Sequence, residues 1–364
     1  MTRFAIAAVA LLVAFNVAGA AQTPRRTPDA LAQEGWTAIE ERRFGDALEA
    51  FVDAAGADTA NPSLAAGAGL AAFMLGRDDE ARTWLERALK LAPGYADASL
   101  LLGELLHRAG RLQDAIELYE VASKHSPDRP IFREKIDQWT REAQRQRGLY
   151  ESRGTHFSVM FEGPADEMLA RRAVEMLESA YWRIGSALTV YPTQAITTIL
   201  YTREQFRDVT RSPEWAAAAY DGRIHVPTQG ALERPGELER VLTHEFVHAV
   251  VATLAGRNVP VWLNEGLATV FESSGVAAER PVGSDRTSLS LTRLEGTFSR
   301  LSAAEAHTAY ALSGRAVQKM LQLRGAPAVV TLLQDIGRGI PFASAFHQRI
   351  AMRYDDFQLM VARE

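Results

Sequence analysis

A period of 34 residues runs through the first third of the chain and fixes most of what that part can become. Gly35, Gly69 and Gly103 stand 34 positions apart, as do Ala47, Ala81 and Ala115, and again Ala54, Ala88 and Ala122. Phe51, Leu85 and Tyr119 keep the same register, and Pro93 and Pro127 close the second and third copies. A small residue at one fixed place lets two helices cross closely, and a large apolar residue at another fills the groove beside it. Gly76 and Gly110 mark turns inside two of the copies, so each copy reads as two antiparallel helices. One such pair cannot bury its apolar face alone, so the copies must stack on one another.

This pattern, over residues of about 28–127, resembles the tetratricopeptide repeat. Residues 129–148 follow as a charged amphipathic helix. Ile131, Phe132, Ile136 and Trp139 are expected to pack on the last repeat while its Arg and Glu side chains face water, as a capping helix requires. The repeat region with its cap is therefore expected over 28–148. Stacked helix pairs make a concave surface, which implies a protein partner in that groove and no chemistry.

The N-terminus reads as a secretory leader over 1–21. Arg3 precedes an apolar run from Phe4 to Val17, and Ala18, Gly19, Ala20 and Ala21 offer a cleavage site after Ala20 or Ala21. The alternative, an uncleaved membrane anchor, is disfavoured because the run is short, rich in Ala and interrupted by Asn16. The sequence contains no cysteine. Export without disulfides suits a bacterial periplasm or exterior, and any metal site has to be built from His, carboxylate and water. The net charge of -5 gives no electrostatic case for nucleic acid or an anionic membrane.

Beyond Thr155 the period is lost. His156–Glu162 alternates as a strand, Ala165–Leu188 reads as a long helix, and Ile196–Tyr201 is a β-branched strand. Gly222–Pro227 reads as a short strand whose proline favours a sheet edge, where an extended peptide could pair. Two helices follow, about Gly236–Ala255 and Pro260–Ser273, separated by a stop at Gly256. An irregular loop is expected near 275–290, and a helical C-terminal part over 290–364.

The first of these two helices carries His244-Glu245-Phe246-Val247-His248. Histidines at i and i+4 lie one turn apart on one face, so both imidazoles can reach one ion. Leu238, Leu242, Phe246, Ala249 and Val250 occupy the neighbouring arc and face the core. Glu245 sits beside the histidines, where it can take a proton from a metal-activated water. Glu265 comes 17 positions after His248, within Trp262-Leu263-Asn264-Glu265-Gly266-Leu267-Ala268. An antiparallel return of the second helix brings it to the two histidines, completing two His and one Glu with a position left for water.

HEFVH followed by WLNEGLA resembles the gluzincin metallopeptidases, closest to the peptidase MA-like domain, over about 150–275. The resemblance implies a zincin-like domain with Zn2+ held by His244, His248 and Glu265 and with Glu245 as general base. Glu272 matches an acidic residue of that motif, as a partner that orients a ligand histidine or else as a solvated charge. Leu254 stands where the metzincin pattern needs a third His, which excludes that branch. No Gly-x-Met-Glu-Asn segment lies upstream, so internal cleavage of a peptide or protein is favoured over aminopeptidase action. Related enzymes stabilise the oxyanion with a Tyr or His from the C-terminal side. Tyr310 is the candidate and His307 the second choice, with an ordinary core tyrosine as the bland alternative. His225 reads as a strand residue and not a ligand. The expectation is therefore a mainly α chain with a small α+β part: a tetratricopeptide solenoid, then a zinc peptidase domain, then a helical tail. Two rivals stand beside it, an inactive peptidase-like scaffold working through its repeats, and a zinc hydrolase of non-peptide amides.

Overall fold

The computed structural model describes residues 26–202, 204–206, 219–228, 235–272, 289–298 and 301–363. The leader expected over 1–21, and nearly all of the loop expected near 275–290, lie outside the described residues. No helix among the described residues is long and apolar enough to cross a membrane.

Among the described residues seven helices come first: α1 Pro28–Glu40, α2 Phe44–Ala57, α3 Pro62–Met74, α4 Asp78–Leu91, α5 Ala96–Arg108, α6 Leu112–His125 and α7 Ile131–Gln146. The 34-residue period maps onto their packing. A Cβ added at Gly35 would meet Phe51 at 2.8 Å, one at Gly69 would meet Leu85 at 2.6 Å, and one at Gly103 would meet Tyr119 at 2.0 Å. The glycines thus leave the space that the large residues fill. Phe51, Leu85 and Tyr119 are fully buried, as are the six repeated alanines. The cap works through Phe132 and Trp139, both fully buried, with ring centroids 5.1 and 4.7 Å from Tyr119. It departs from expectation at two positions. Ile131 is 37% exposed at the helix start, and Glu142 is buried. Glu142 accepts a hydrogen bond of 2.8 Å from Arg223 and lies 2.9 Å from Nε2 of His107, so it turns inward to partners far away in sequence.

The remainder is a small sheet between helices. Strands β1 Tyr150–Arg153, β2 Phe157–Phe161, β3 Ile196–Tyr201, β4 Ala219–Tyr220 and β5 Ile224–Pro227 lie in the order β1-β2-β3-β5-β4. β2, β3 and β5 are parallel, and both outer strands are antiparallel to their neighbours. The expected sheet edge at 222–227 is corrected here, because β4 covers β5 at Ile224 and His225. Pro227 lies beyond the two β5 residues that pair with β4 and stands opposite Tyr201 of β3. Helix α8, Glu167–Leu188, packs on this sheet, with Phe157, Val159 and Phe161 buried beneath it.

Helices α9 Pro235–Ala255 and α10 Val261–Phe271 form the pair that carries the two motifs. Leu238, Leu242, Phe246, Ala249 and Val250 of α9 are buried in one core with α8 and the sheet. Helix α11, Ala303–Gly337, is broken at Gly325, and α12 Phe342–Ile350 and α13 Tyr354–Arg363 complete the chain.

The repeat array docks on the turn between α9 and α10. Gly256 in that turn and Gly76 in the α3–α4 turn both have positive φ, +63° and +73°. A Cβ at Gly256 would lie 2.3 Å from the carbonyl oxygen of Leu75, so the two turns meet backbone to backbone. Arg257 donates to both carboxylate oxygens of Asp78 (2.7 and 2.9 Å), and Asn258 accepts from Arg42 at 2.8 and 3.1 Å. The short connection between the two motif helices is therefore held from outside by the array.

Candidate metal centre

His244 and His248 project from adjacent turns of α9, with ring centroids 4.9 Å apart. Each has its Nδ1 engaged. His244 Nδ1 lies 3.0 Å from Oε2 of Glu272, which also accepts from Arg240 at 2.9 Å. His248 Nδ1 lies 3.0 Å from Oδ1 of Asn264. In a neutral imidazole, an Nδ1–H that donates to a carboxylate or amide oxygen leaves Nε2 as the lone-pair atom that a metal would take. Both Nε2 atoms turn toward Glu265, whose Oε2 is 3.3 Å from one and 3.5 Å from the other.

These distances bear on what the cluster can hold. Ligand bonds of about 2.0–2.1 Å to a tetrahedral zinc set neighbouring donor atoms about 3.3–3.4 Å apart. Oε2 of Glu265 is buried and accepts no hydrogen bond among the described residues. A buried carboxylate oxygen without a donor is costly, and a dication shared with the two imidazoles removes that cost. Glu245 also has an oxygen that, with the His244 and His248 donors, forms a set lying within 4.8 Å of one another, so proximity alone does not choose between the two glutamates. Glu265, with Oε2 3.3 and 3.5 Å from the two Nε2 atoms and no hydrogen-bond partner among the described residues, is the candidate third donor, with Glu245 beside the set.

The two glutamates differ in acidity. Burial raises the pKa of Glu245, and the nearby imidazoles offset that only in part. Burial acts on Glu265 in the same sense, but His248 and His244 outweigh it and hold its carboxyl well below the usual range. His244 is opposed by burial, yet the carboxylates of Glu265 and Glu272 prevail and lift it to about 10. His248 is also raised, its burial outweighed chiefly by Glu265. In the metal-free cluster one carboxylate is thus held ionised by the two imidazoles, while its neighbour is more basic.

The cluster opens into a cleft of about 350 Å³. Tyr310 of α11 lies on its wall, its ring centroid 6.1 Å from that of His244. Burial first, and then the glutamates, keep the Tyr310 phenol protonated and so a hydrogen-bond donor. His307 is exposed and is not among the residues lining the cleft. His225 is buried in β5, bonded to Asp221 at 2.9 Å and stacked on Tyr201, and is not among the residues lining the cleft. Sequence reasoning gave no role to Asn264 or Arg240. Asn264 immediately precedes Glu265 in the WLNEG segment, and that adjacency was the available signal. Arg240 stands one turn before His244 on the same face, but its partner Glu272 is 32 residues away.

The tetratricopeptide-repeat family matches residues 33–96 and 85–130. Among solved structures the chain is similar to the Arabidopsis OM64 TPR domain, with 15% identity, 31% of this chain and 94% of that one covered, and a TM-score of 0.30. No curated protein matches the chain. The family match ends at residue 130, before the His244, His248 and Glu265 cluster begins. The N-terminal region of this mainly helical chain is a tetratricopeptide-repeat array, a module that binds protein partners.

Proposed function

We propose that the chain is an exported zinc-dependent peptidase, favouring internal bonds, with its repeat array presenting or recruiting protein. The observation that carries this reading is the placement of Glu265 Oε2, 3.3 and 3.5 Å from the two Nε2 atoms and with no donor of its own. Bound by His244, His248 and Glu265, a zinc ion would supply Lewis-acid activation of a water and of the scissile carbonyl. Glu245, raised in pKa by burial, takes the water's proton and returns it to the leaving amine. The neutral Tyr310 hydroxyl donates to the carbonyl oxygen as charge builds there. Glu272 and Asn264 hold the imidazoles by Nδ1 and aim both Nε2 atoms at the place where the metal would sit. The leader pattern and the absence of cysteine support action outside the cytoplasm.

Glu245→Gln tests the reading. The amide keeps the shape of the carboxylate and the zinc donors are untouched, so zinc content and thermal melting stay as in the wild type. Cleavage of an unstructured protein such as casein falls by roughly two orders of magnitude or more. Equal cleavage by both proteins removes Glu245 from the chemistry. A wild type that binds zinc yet cleaves nothing in a broad peptide library returns the reading to a scaffold or to a non-peptide amide hydrolase.

A further inference from the structure

One wall of the cleft does not belong to the motif helices. Arg108, the last residue of α5 in the repeat array, lines the same cleft as His244, Glu245 and Glu265, together with Tyr220 and Arg257. Its stem is held against the β4–β5 turn, where a Cβ at Gly222 would come within 3.2 Å of Arg108 Cβ. The side chain is half-buried, and its guanidinium has no hydrogen bond or ion pair among the described residues. Arg257, on the same wall, is already matched by both oxygens of Asp78.

The charges of the cleft can be paired off. Glu265 and Glu245 are committed to the metal and to proton transfer, and together they balance a zinc dication. Asp78 balances Arg257. Arg108 is left over: burial and the nearby Arg257 disfavour its charge, and the weaker attraction of Tyr220, Asp221 and Asp78 does not offset them. A partly buried guanidinium with open donors is costly by itself and is a ready fork for a carboxylate. The neighbouring Tyr220 phenol is kept protonated, chiefly by burial, and offers a further donor.

We infer that Arg108, with Tyr220 and Arg257 beside it, is a subsite for a carboxylate of the peptide substrate, so the repeat array supplies part of the specificity of the metal cleft. This inference rests on the peptidase reading above. The carboxylate belongs either to an acidic side chain or to the chain terminus, and both present the same group to Arg108.

The test takes a set of casein-derived peptides and prepares each in matched forms: acidic residues kept or changed to their amides, and the C-terminus free or amidated. Turnover is measured on the zinc-loaded full chain, and peptide binding is measured separately on the metal-free full chain by fluorescence anisotropy. The wild type favours a charged form over its neutral counterpart by about tenfold or more in both readouts, the size of one charge-assisted pair. Sensitivity to the side-chain amides identifies an acidic residue, and sensitivity to C-terminal amidation identifies the terminus. Arg108→Gln removes the preference mainly through KM, and Arg108→Lys keeps part of it. The wild-type comparison alone decides the matter if a variant fails to fold. Cleavage without charge preference, or a preference that survives in Arg108→Gln, overturns the subsite and leaves the peptidase standing. Arg108-dependent binding without cleavage upholds the subsite and removes the peptidase. No charge-dependent binding at all overturns the subsite.

Discussion

In the repeat array one contact recurs three times at one sequence separation, whereas the candidate metal cluster joins residues at no repeated separation. Gly35 faces Phe51, Gly69 faces Leu85 and Gly103 faces Tyr119, always across 16 positions of sequence. The cluster takes His244 and His248 from one helix, Asn264, Glu265 and Glu272 from a second, and Tyr310 from a third. Redundancy makes the array tolerant, since each repeat leans only on its neighbours. The cluster has no spare part. Damage in the two regions should therefore look different, as lost stability in one and lost chemistry in the other.

The sharpest way to break that contrast is to remove one member from each side. Glu265→Ala should lose most of the zinc and with it all measurable hydrolysis, while the array stays folded. Phe51→Ala empties a fully buried site and should cost about 3–5 kcal/mol of stability. Its folded fraction should still bind one zinc per chain. Elemental analysis and urea unfolding of both variants decide this. If Glu265→Ala keeps its zinc, the donor assignment falls. If Phe51→Ala loses zinc while folded, the two regions are not separable in this way.

A smaller effect is expected where the regions join. Gly256 has φ +63° and lies against Leu75, so Gly256→Val brings both backbone strain and a clash with the α3–α4 turn. The expected loss is about 2–4 kcal/mol. Zinc affinity should weaken as well, because this turn sets the separation of His248 from Glu265. Gly110→Val is the control, since a Cβ there meets nothing within 4 Å, although its own φ of +74° still carries strain. Equal zinc affinity in the two variants would show that docking on the array does not position the ligands.

How much of this could be read from the chain follows from the same contrast. A period repeated three times is visible in sequence because each contact recurs at one separation. The histidines of α9 are visible because helical geometry alone places residues four apart on one face. Glu265 was within reach because a short turn returns α10 antiparallel. The rest depends on which surfaces meet. Glu142 looked like a solvated charge on the cap, because its partners His107 and Arg223 lie 35 and 81 residues away. The covering of β5 went unread because β4 is two residues long, too short for any periodicity. Arg108 gave no signal as the end of a repeat helix, and only the docking of the array turns it toward the cleft.

The smallest predicted effect concerns the second joint, and acid is its probe. Glu142 accepts from Arg223 and pairs with His107, linking the cap, the last repeat and the β4–β5 turn. Burial acts to raise the Glu142 pKa, but the bond to His107 and the charge of Arg223 outweigh it, so the carboxyl is lowered in the folded protein. A depressed folded pKa means stability that is fully present above the unfolded value of about 4.3 and is lost as the pH falls through the folded value. One such group changes stability by at most about 1.4 kcal/mol per pH unit in that window. Glu142→Gln has no charge to lose. It should be less stable than the wild type at pH 7, because Arg223 and His107 then face a neutral amide. Between pH 5 and 3, however, its urea midpoint should fall less steeply than that of the wild type. Parallel acid slopes for the two proteins would mean that this carboxylate does not carry the pH dependence of the joint. The two regions would then be held together chiefly by the glycine-to-glycine contact and by the Arg257–Asp78 and Arg42–Asn258 bonds at the other end.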